Sequence, residues 1–279
     1  MKQIFKNLSS EILEILTVIS QNNGDGFLVG GCVRDEFFGH NSKDIDIEVF
    51  GISQVKLEGL LKPFGKVNSV GQSFGVTKLT TKENEYDFNL PRRERKTGNG
   101  HQGFEVDVDP TMSVYEAGLR RDLTMNAIYY NPLTKEVVDN FGGVSDIEQG
   151  VLRHVSPKFA EDPLRVLRLM QFAARKSMYL AKETAELAKT LLDEFDTISK
   201  ERVWIEFEKM MRKGKKMTYG LYTLVETGWV VNYPQLDKLC LEFTSIRNLG
   251  NAVDSAKKFA NQNNVHGDDN LAQMFAILC

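Results

Sequence analysis

The sequence predicts an α+β fold: a small mixed β-sheet flanked by helices over roughly the first 140 residues, followed by an all-helical remainder. Three observations point there. β-Prone stretches (Phe27–Val29, Asp44–Val49, Val67–Val70, Val76–Thr80 and Tyr86–Leu90) are confined to the first part of the chain. Glycines and helical patterns separate them, beginning at Gly30-Gly31. From Leu152 onward the apolar residues recur at three- and four-residue spacings. The expected divisions are 1–143, 144–220 and 221–279.

Ser9 to Ser20 is the first helix, with Ile12, Leu13, Ile15, Leu16 and Ile19 on one face and Ser9 or Ser10 as N-cap. Asn22 to Gly26 ends it. After the strand Phe27–Val29, Gly30 and Gly31 turn the chain sharply and let a ligand approach without a Cβ in the way. The helix from Val33 to Phe38 then offers its first N–H groups to an anion such as a phosphate, and Arg34 adds a fixed positive fork. In Asp44–Val49 polar and apolar residues alternate, so Asp44 and Asp46 share one face while Ile45, Ile47 and Val49 turn to the core. Two carboxylates this close repel unless something neutralises them. A hard divalent cation such as Mg²⁺ does so, keeping substrate phosphates as further ligands. A phosphate cradle just before an acid pair points to metal-assisted phosphoryl transfer, whereas an isolated D-x-D is as easily the solvated face of an edge strand.

Gln54 to Leu61 is a helix stopped by Pro63 and Gly65. Asp87, in the strand Tyr86–Leu90, is either a third carboxylate for the Asp44/Asp46 site or a surface acid. Arg92 to Pro110 is charged and glycine-rich and reads as a mobile loop; its Gly98, Gly100 and Gly103 do not form a dinucleotide fingerprint. Ser113 to Arg121 is a helix leading into RRDLTMNAIYYN. There Arg121 is placed to reach phosphate, Asp122 to accept from a ribose hydroxyl and Asn126 to hold the local backbone; a local capping arrangement is the alternative for Asp122 and Asn126. Val137 to Gly143 ends the first domain, and Ser145–Glu148 fits a capping box.

Asp162-Pro163 starts a helix whose apolar stripe is Leu164, Leu167, Leu169, Met170 and Phe172. Asp162, Arg165 and Arg168, three apart, share the other face, either as ligand readers or as a capping Asp beside two solvated arginines. Ala181–Phe195 and Arg202–Met211 are further amphipathic helices, with Glu201, Arg202 and Glu206 bracing the bundle. Arg212 to Lys216 is a basic run, an RNA-backbone contact or a solvated lysine-rich face. Asn270 to Cys279 is an apolar helix start that implies something further to pack against, so the chain reads as cut short or partner-dependent.

With 279 residues the chain suits two or three domains. No apolar run approaches the about 18 residues of a membrane span, and the N-terminal stretch lacks a signal-peptide core. Cys32, Cys240 and Cys279 have no paired spacing, which fits a reducing, cytoplasmic setting. A net charge of −3 argues against a wholly basic nucleic-acid binder. Basic residues nevertheless outnumber acidic ones between 151 and 220, where a polyanion could lie.

Taken in order, GGCVRD, KDIDIEVFG, RRDLTMNA, EDPLRVLRLMQFAAR and ERVWIEFEKMM resemble the class II tRNA nucleotidyltransferase/poly(A) polymerase family over residues 26–212. RRERKTGNGHQGF resembles the corresponding loop of its proteobacterial CCA-adding branch. The resemblance implies a nucleotidyltransferase head, a helical neck and a partial body, adding CCA or part of it to tRNA 3′ ends from CTP and ATP. Carried over by position, it has Asp44 and Asp46 binding Mg²⁺, two ions being expected, and Gly31 and Arg34 holding the triphosphate with help from Arg121. Asp162 and Arg165 would read the base, Arg168 support the nucleotide and Glu161 orient the readers, while Glu201 and Arg202 steady the neck. Family members are usually longer. Some continue, after a helix much like NLAQMFAILC, into a phosphohydrolase domain opening with a His-Asp pair that this sequence does not reach, so that activity is not expected.

The base-reading assignment has its own chemistry. Cytosine and adenine each show an amino donor beside a ring-nitrogen acceptor, which a carboxylate and a guanidinium match. Uracil and guanine show the reverse order, leaving both contacts unpaired at about 1–3 kcal/mol each. Four alternatives stay open on the sequence: full CCA addition, CC-only or A-only addition, poly(A) synthesis, and a non-catalytic tRNA-binding module. Oligomeric state is not legible.

Overall fold

The computed structural model of the chain describes residues 5, 8–40, 44–68, 75–96, 104–233, 236–237 and 243–262. They divide into two compact units, one running to Ile147 and the other starting at Glu148.

In the first unit, helix α1 (Ser10–Gln21) begins where the Ser9 hydroxyl accepts the Ile12 N–H, and it buries Ile12, Ile15, Leu16 and Ile19. Each such aliphatic side chain contributes about 1.5–3 kcal/mol when removed from water. There follow strand β1 (Asp25–Val29), helix α2 (Gly31–Phe37), strand β2 (Asp46–Phe50) and helix α3 (Gln54–Leu61). A 3-10 turn at Lys62–Phe64, containing Pro63, closes α3 before β3 (Lys66–Asn68), β4 (Val76–Thr80) and β5 (Glu85–Asn89). With β8 (Tyr129–Asn131) and β9 (Glu136–Val138), these strands form a seven-stranded mixed sheet in the order β3-β4-β5-β2-β1-β8-β9. Its one parallel ladder joins β2 to β5 and sets Asp46 opposite Asp87 and Ile47 opposite Phe88.

The two-residue period sorts the faces of this sheet. Leu28, Ile47, Val49, Leu79, Tyr86 and Phe88 turn to one side, where they pack with the apolar residues of α1 and α3. On the other side Val29, Phe50 and Tyr129 cluster with Ala117 from helix α4 (Val114–Gly118). Asp46, Glu48 and Asp87 share that second side.

Two segments differ from the sequence expectation. The stretch read as a mobile loop after Pro91 holds strands β6 (Arg92–Lys96) and β7 (Phe104–Val108), paired antiparallel from Arg92 with Val108 to Lys96 with Phe104. Its glycines fall between the strands, and Gly98, Gly100 and Gly103 lie outside the described residues. The expected capping box at Ser145 is displaced. Helix α5 (Gly143–Gln149) starts earlier, and Ser145 sits inside it. Asp139 caps it instead, one carboxylate oxygen accepting from the Gly143 N–H at 2.8 Å and the other from Val144 at 2.9 Å. The expected helix over Ser113–Arg121 is confined to α4, with Ser113 and Glu116 forming its capping box.

The second unit is helical apart from one short parallel ladder between β10 (Val151–Leu152) and β11 (Tyr179–Leu180). Helix α6 (Leu164–Lys176) starts where Asp162 accepts the Leu164 N–H. Helix α7 (Lys182–Lys189) is shorter than the pattern suggests, the chain tightening to a 3-10 turn over Leu192–Thr197. Helices α8 (Lys200–Lys213) and α9 (Met217–Glu226) pack on α6, and α10 (Phe243–Gln262) packs on α9, Gly250 lying flush against Thr218. The apolar stretch Asn270–Cys279 lies outside the described residues. Among those described, no helix is long and apolar enough to cross a membrane.

Replacing Asp139 with Ala should remove both cap bonds of α5 and lower stability by about 1 kcal/mol, read from the midpoint of urea unfolding.

Candidate active site

The polar side of the sheet is built around β2. Asp44 is exposed just before the strand, Asp46 is its half-buried first residue, and Glu48, on the same face, is fully buried. Glu48 is gripped from two sides. Arg120 Nη2 donates to its Oε1 at 2.8 Å, and Arg121 Nη2 donates to its Oε2 at the same distance. The Tyr129 hydroxyl adds a third donor at 2.9 Å. Burial alone would push this carboxyl up; the two guanidinium charges and their hydrogen bonds outweigh it and hold the pKa at about 2. Burial likewise pushes the Tyr129 hydroxyl up to about 12.

Arg121 is fully committed. Its Nε donates to the Tyr129 hydroxyl at 3.3 Å and its Nη1 to the Asn126 carbonyl at 3.4 Å. The same Nη1 lies over Gly30. A Cβ on Gly30 would stand 3.4 Å from it and 3.6 Å from Asp46 Oδ2, and Gly30 has φ +78° and ψ −131°, a conformation that L residues with side chains avoid. The glycine turn thus brings backbone against Asp46 and the half-buried Arg121 together.

Arg34 is also built in. It forks onto Asp35 through two bonds of 3.0 Å and donates from Nη1 to the Asn126 side-chain oxygen at 2.8 Å. Asn126 passes the chain on, donating to Asp122 at 2.9 Å, and the same Asp122 oxygen accepts the Leu123 N–H. Arg34 and Asn126 therefore meet. Asp122 stands in the local hydrogen-bonded arrangement that was the alternative to a ribose contact.

Asp87 lies beside Asp46 in the parallel ladder and has Lys78 Nζ at 3.3 Å from its Oδ1. Burial raises the Asp46 carboxyl, Arg121 opposes this, and the charges of Asp87 and Asp44 raise it further; the net direction is upward. A cluster of acids with strained ionisation fits a hard cation that completes its shell with phosphate and water oxygens. Among the described residues no three His, Cys, Asp or Glu side chains are arranged to hold an ion by themselves.

Sequence reasoning assigned no role to Glu48. The signal was present, since D-I-D-I-E carries its third acid in phase with the first two, but nothing in the pattern said that this one faces two arginines.

In the second unit, Glu161 closes the 3-10 turn Pro157–Glu161 and Asp162 follows it. Asp162 Oδ1 accepts from the Leu164 N–H at 3.2 Å and Oδ2 from Arg202 Nη2 at 2.9 Å, and both ion-pair side chains remain 26% exposed. Arg165 Nη1 is anchored on the Lys158 carbonyl at 2.6 Å. Arg168 lies over the Phe172 ring at 5.5 Å, and Arg175 lies over the same ring at 5.4 Å. Asp162, Arg165 and Arg168 thus leave one helical start with fixed inner ends.

Comparisons with known proteins bear on both units. Residues 26–153 match the family model of the poly A polymerase head domain, and residues 177–240 match the probable RNA- and SrmB-binding site of polymerase A. The Multifunctional CCA protein of Xanthomonas campestris is 41% identical over 220 residues, covering 76% of this chain and 52% of that protein. The Nitrosospira multiformis protein of the same name is 40% identical over 200 residues, covering 70% and 46%. The chain spans about half the length of the curated relatives it matches. Among solved structures, the Bacillus stearothermophilus CCA-adding enzyme in complex with CTP is 25% identical, with a TM-score of 0.69, covering 99% of this chain and 67% of that one. The Thermotoga maritima CCA-adding enzyme complexed with tRNA CCA shares the fold at 22% identity and a TM-score of 0.75, covering 99% and 64%.

Glu48→Gln leaves Arg121 buried without its counter-charge and should lower unfolding free energy at pH 7 by about 3–5 kcal/mol. The folded pKa of Glu48, about 2, lies below its ordinary value of 4.5, so this stability is present above the ordinary value and lost as pH falls towards the folded one. Unfolding midpoints followed from pH 6 to roughly 2 should fall less steeply in the variant than in the unsubstituted protein.

Proposed function

This chain belongs to the tRNA nucleotidyltransferase/poly(A) polymerase family, and from that premise we propose that it is a template-independent CCA-adding enzyme. The reaction is attack of a tRNA 3′-hydroxyl on the α-phosphate of CTP or ATP, with the α–β phosphoanhydride breaking and pyrophosphate leaving. The observation that carries the reading is Asp46 at the head of β2, opposite Asp87 in the parallel ladder and against the glycine turn, with Asp44 just before the strand. The names of the curated relatives support the choice of CCA addition within the family. We take 1–143 as the head, 144–220 as the neck and 221–279 as part of the body, and place the protein in the cytoplasm.

Asp44 and Asp46 hold Mg²⁺ in this reading, two ions being expected, with Asp87 as a neighbouring acid. Bound there, Mg²⁺ supplies Lewis acidity to the hydroxyl nucleophile and to the leaving phosphate. Gly30 and Gly31 admit the triphosphate to the backbone, where no Cβ obstructs it. Arg34, fixed by Asp35 and Asn126, supplies positive charge from a rigid position. Arg121 acts from beneath: with its nitrogens held by Glu48, Tyr129 and Asn126, it stabilises the turn and offsets charge at Asp46. Asp122 and Asn126 keep Arg34 in place.

Asp162 and Arg165 read the base and Arg168 supports the nucleotide. Asp162 has accepting capacity left after its bonds to Leu164 and Arg202, since a carboxylate offers about four lone-pair sites. Arg165 is anchored through Nη1 on the Lys158 carbonyl. Glu161 orients the two readers. Much of the remaining rate acceleration is positioning of the primer hydroxyl against the nucleotide.

The test is incubation of the protein with Mg²⁺ and tRNA lacking CCA, with each nucleotide alone and in pairs, resolved by gel. Three added nucleotides support the reading. A long ladder of A would replace it with poly(A) synthesis, arrest at CC or addition of A alone would split the specificity, and no addition with intact tRNA binding would sink the catalytic assignment. Asp46→Ala should reduce incorporation at least a thousandfold while leaving the far-ultraviolet circular dichroism unchanged; normal turnover would refute the metal assignment. Asp162→Ala should admit UTP and GTP by about one to two orders of magnitude, the size of one or two unpaired polar contacts. Unchanged rejection of both would remove the base-reading role.

A further inference from the structure

Three neighbouring strands of the first unit set a lysine beside the acids. Lys78 pairs in register with Asp87, and Asp87 with Asp46, so the three residues form one row across β4, β5 and β2. The two-residue period puts all three on the polar side of the sheet. Thr77 and Leu79, either side of Lys78, are buried, as are Tyr86 and Phe88 either side of Asp87. Neighbouring strands lie about 4.8 Å apart, which makes Asp87 the link between Asp46 and the lysine. Lys78 Nζ stands 3.3 Å from Asp87 Oδ1, with the two side chains 56% and 41% exposed. The other flank of Asp46, towards β1, is taken by the Gly30 turn and Arg121.

As a plain cross-strand contact this pair would do little more than support the register, because exposed ion pairs stabilise weakly. Its place in the row gives it more to do. Asp46 and Asp87 carry like charges on adjacent strands, and the ammonium offsets the second of them. A divalent cation drawn to these carboxylates meets Lys78 both as a competitor and as a like charge. Lysine is suited to yielding, since its ammonium is a point charge on a flexible four-carbon stem. Arg34 and Arg121 are not: hydrogen bonds to Asp35, Asn126, Glu48 and Tyr129 hold their guanidinium groups in place.

We propose that Lys78 is a displaceable counter-ion of Asp87: it holds that carboxylate until a divalent cation arrives, then releases it and turns its ammonium to a phosphate of the bound nucleotide. This rests on the reading of Asp44 and Asp46 as Mg²⁺ ligands and goes beyond it, because it makes cation loading depend on nucleotide. A cation alone must displace the lysine and offers its ammonium nothing in exchange. A cation with a triphosphate gives the ammonium a new anion. Lys78 is thus a positioning residue for Asp87 and a binding residue for phosphate.

The test is binding without chemistry. Mn²⁺ is titrated into the full chain in the absence of nucleotide, with the free ion read by electron paramagnetic resonance. CTP is titrated at saturating Ca²⁺ and read by calorimetry. Lys78→Met, which keeps the stem and loses the charge, should tighten Mn²⁺ about three- to tenfold and weaken CTP by a similar factor, the size of one charge beside an exposed site. Lys78→Arg, which keeps the charge, should return both affinities to within about twofold of the unsubstituted protein. Lys66→Met, on the same face one strand further out, should leave both unchanged. In an Asp87→Asn background Lys78→Met should no longer tighten Mn²⁺, since there is no carboxylate left to withhold. Unchanged Mn²⁺ affinity in Lys78→Met, with native circular dichroism, overturns the inference, and so does an equal gain in the Asp87→Asn background. Tighter Mn²⁺ with unchanged CTP affinity overturns the transfer to phosphate. Incorporation into tRNA lacking CCA separates this inference from the proposed function. A chain whose Mn²⁺ and CTP affinities follow Lys78 yet which adds no nucleotide keeps the inference and loses the catalytic reading. One that adds CCA with both affinities indifferent to Lys78 loses the inference alone.

Discussion

A carboxylate removed from water between two guanidinium groups is the constraint on which the first unit depends. Glu48 is fully buried, so its charge survives only because Arg120, Arg121 and Tyr129 surround it. The ion pair is weak evidence for net stability, because desolvating both partners costs nearly what their attraction returns. Its value lies in direction. Holding Arg121 by all three nitrogens fixes a cation that lies over Gly30 and beside Asp46. A mobile arginine there would lose side-chain entropy on each ligand encounter, whereas this one has already lost it on folding.

That arrangement also explains which parts of the site were legible. The alternation D-I-D-I-E and the glycine pair placed Asp46, Glu48 and the Gly30-Gly31 turn from sequence, because each depends on local geometry, strand period or backbone freedom; Asp44, read in the same strand, lies just before β2. The committed state of Arg121 was not legible. It depends on Tyr129 and Asn126, which lie close in sequence, but also on Glu48, more than seventy positions away. Pattern reading sees a residue's type and phase, not the partner that the sheet brings to it. Asp122 and Asn126 fall in the same class, since their mutual hydrogen bond could be anticipated only as an alternative to ligand contact.

Fold-level differences have equally local causes. FEVDV alternates as cleanly as DIDIEV, yet the glycines ahead of it dominated the reading of the whole segment as loop; they occupy only the stretch between two strands that pair over five residues each. At α5, Ser145 and Glu148 have the spacing of a capping box, but Asp139 lies upstream with two acceptors and reaches two N–H groups at once. A bidentate carboxylate satisfies two orphan donors where a serine hydroxyl satisfies one, so the helix starts where Asp139 can serve it.

In the proposed reading, the same principle of prior commitment bears on nucleotide choice. Arg202 and the Leu164 N–H hold the Asp162 carboxylate, and the Lys158 carbonyl holds Arg165, so neither reader can swing to accommodate a wrong base without breaking a bond it already has. Rigid readers convert a mismatched edge into unpaired groups, and two such losses of about 1–3 kcal/mol give discrimination of one to four orders of magnitude. Yet cytosine and adenine present the same donor-acceptor pair to those readers and differ in size rather than in edge. As proposed readers, a fixed carboxylate and guanidinium would separate CTP and ATP from UTP and GTP, and would not rank CTP against ATP. If the chain adds CCA as proposed, the order of addition would come from how much room the growing 3′ end leaves for one ring or two, a property of the enzyme with its primer and not of Asp162 and Arg165.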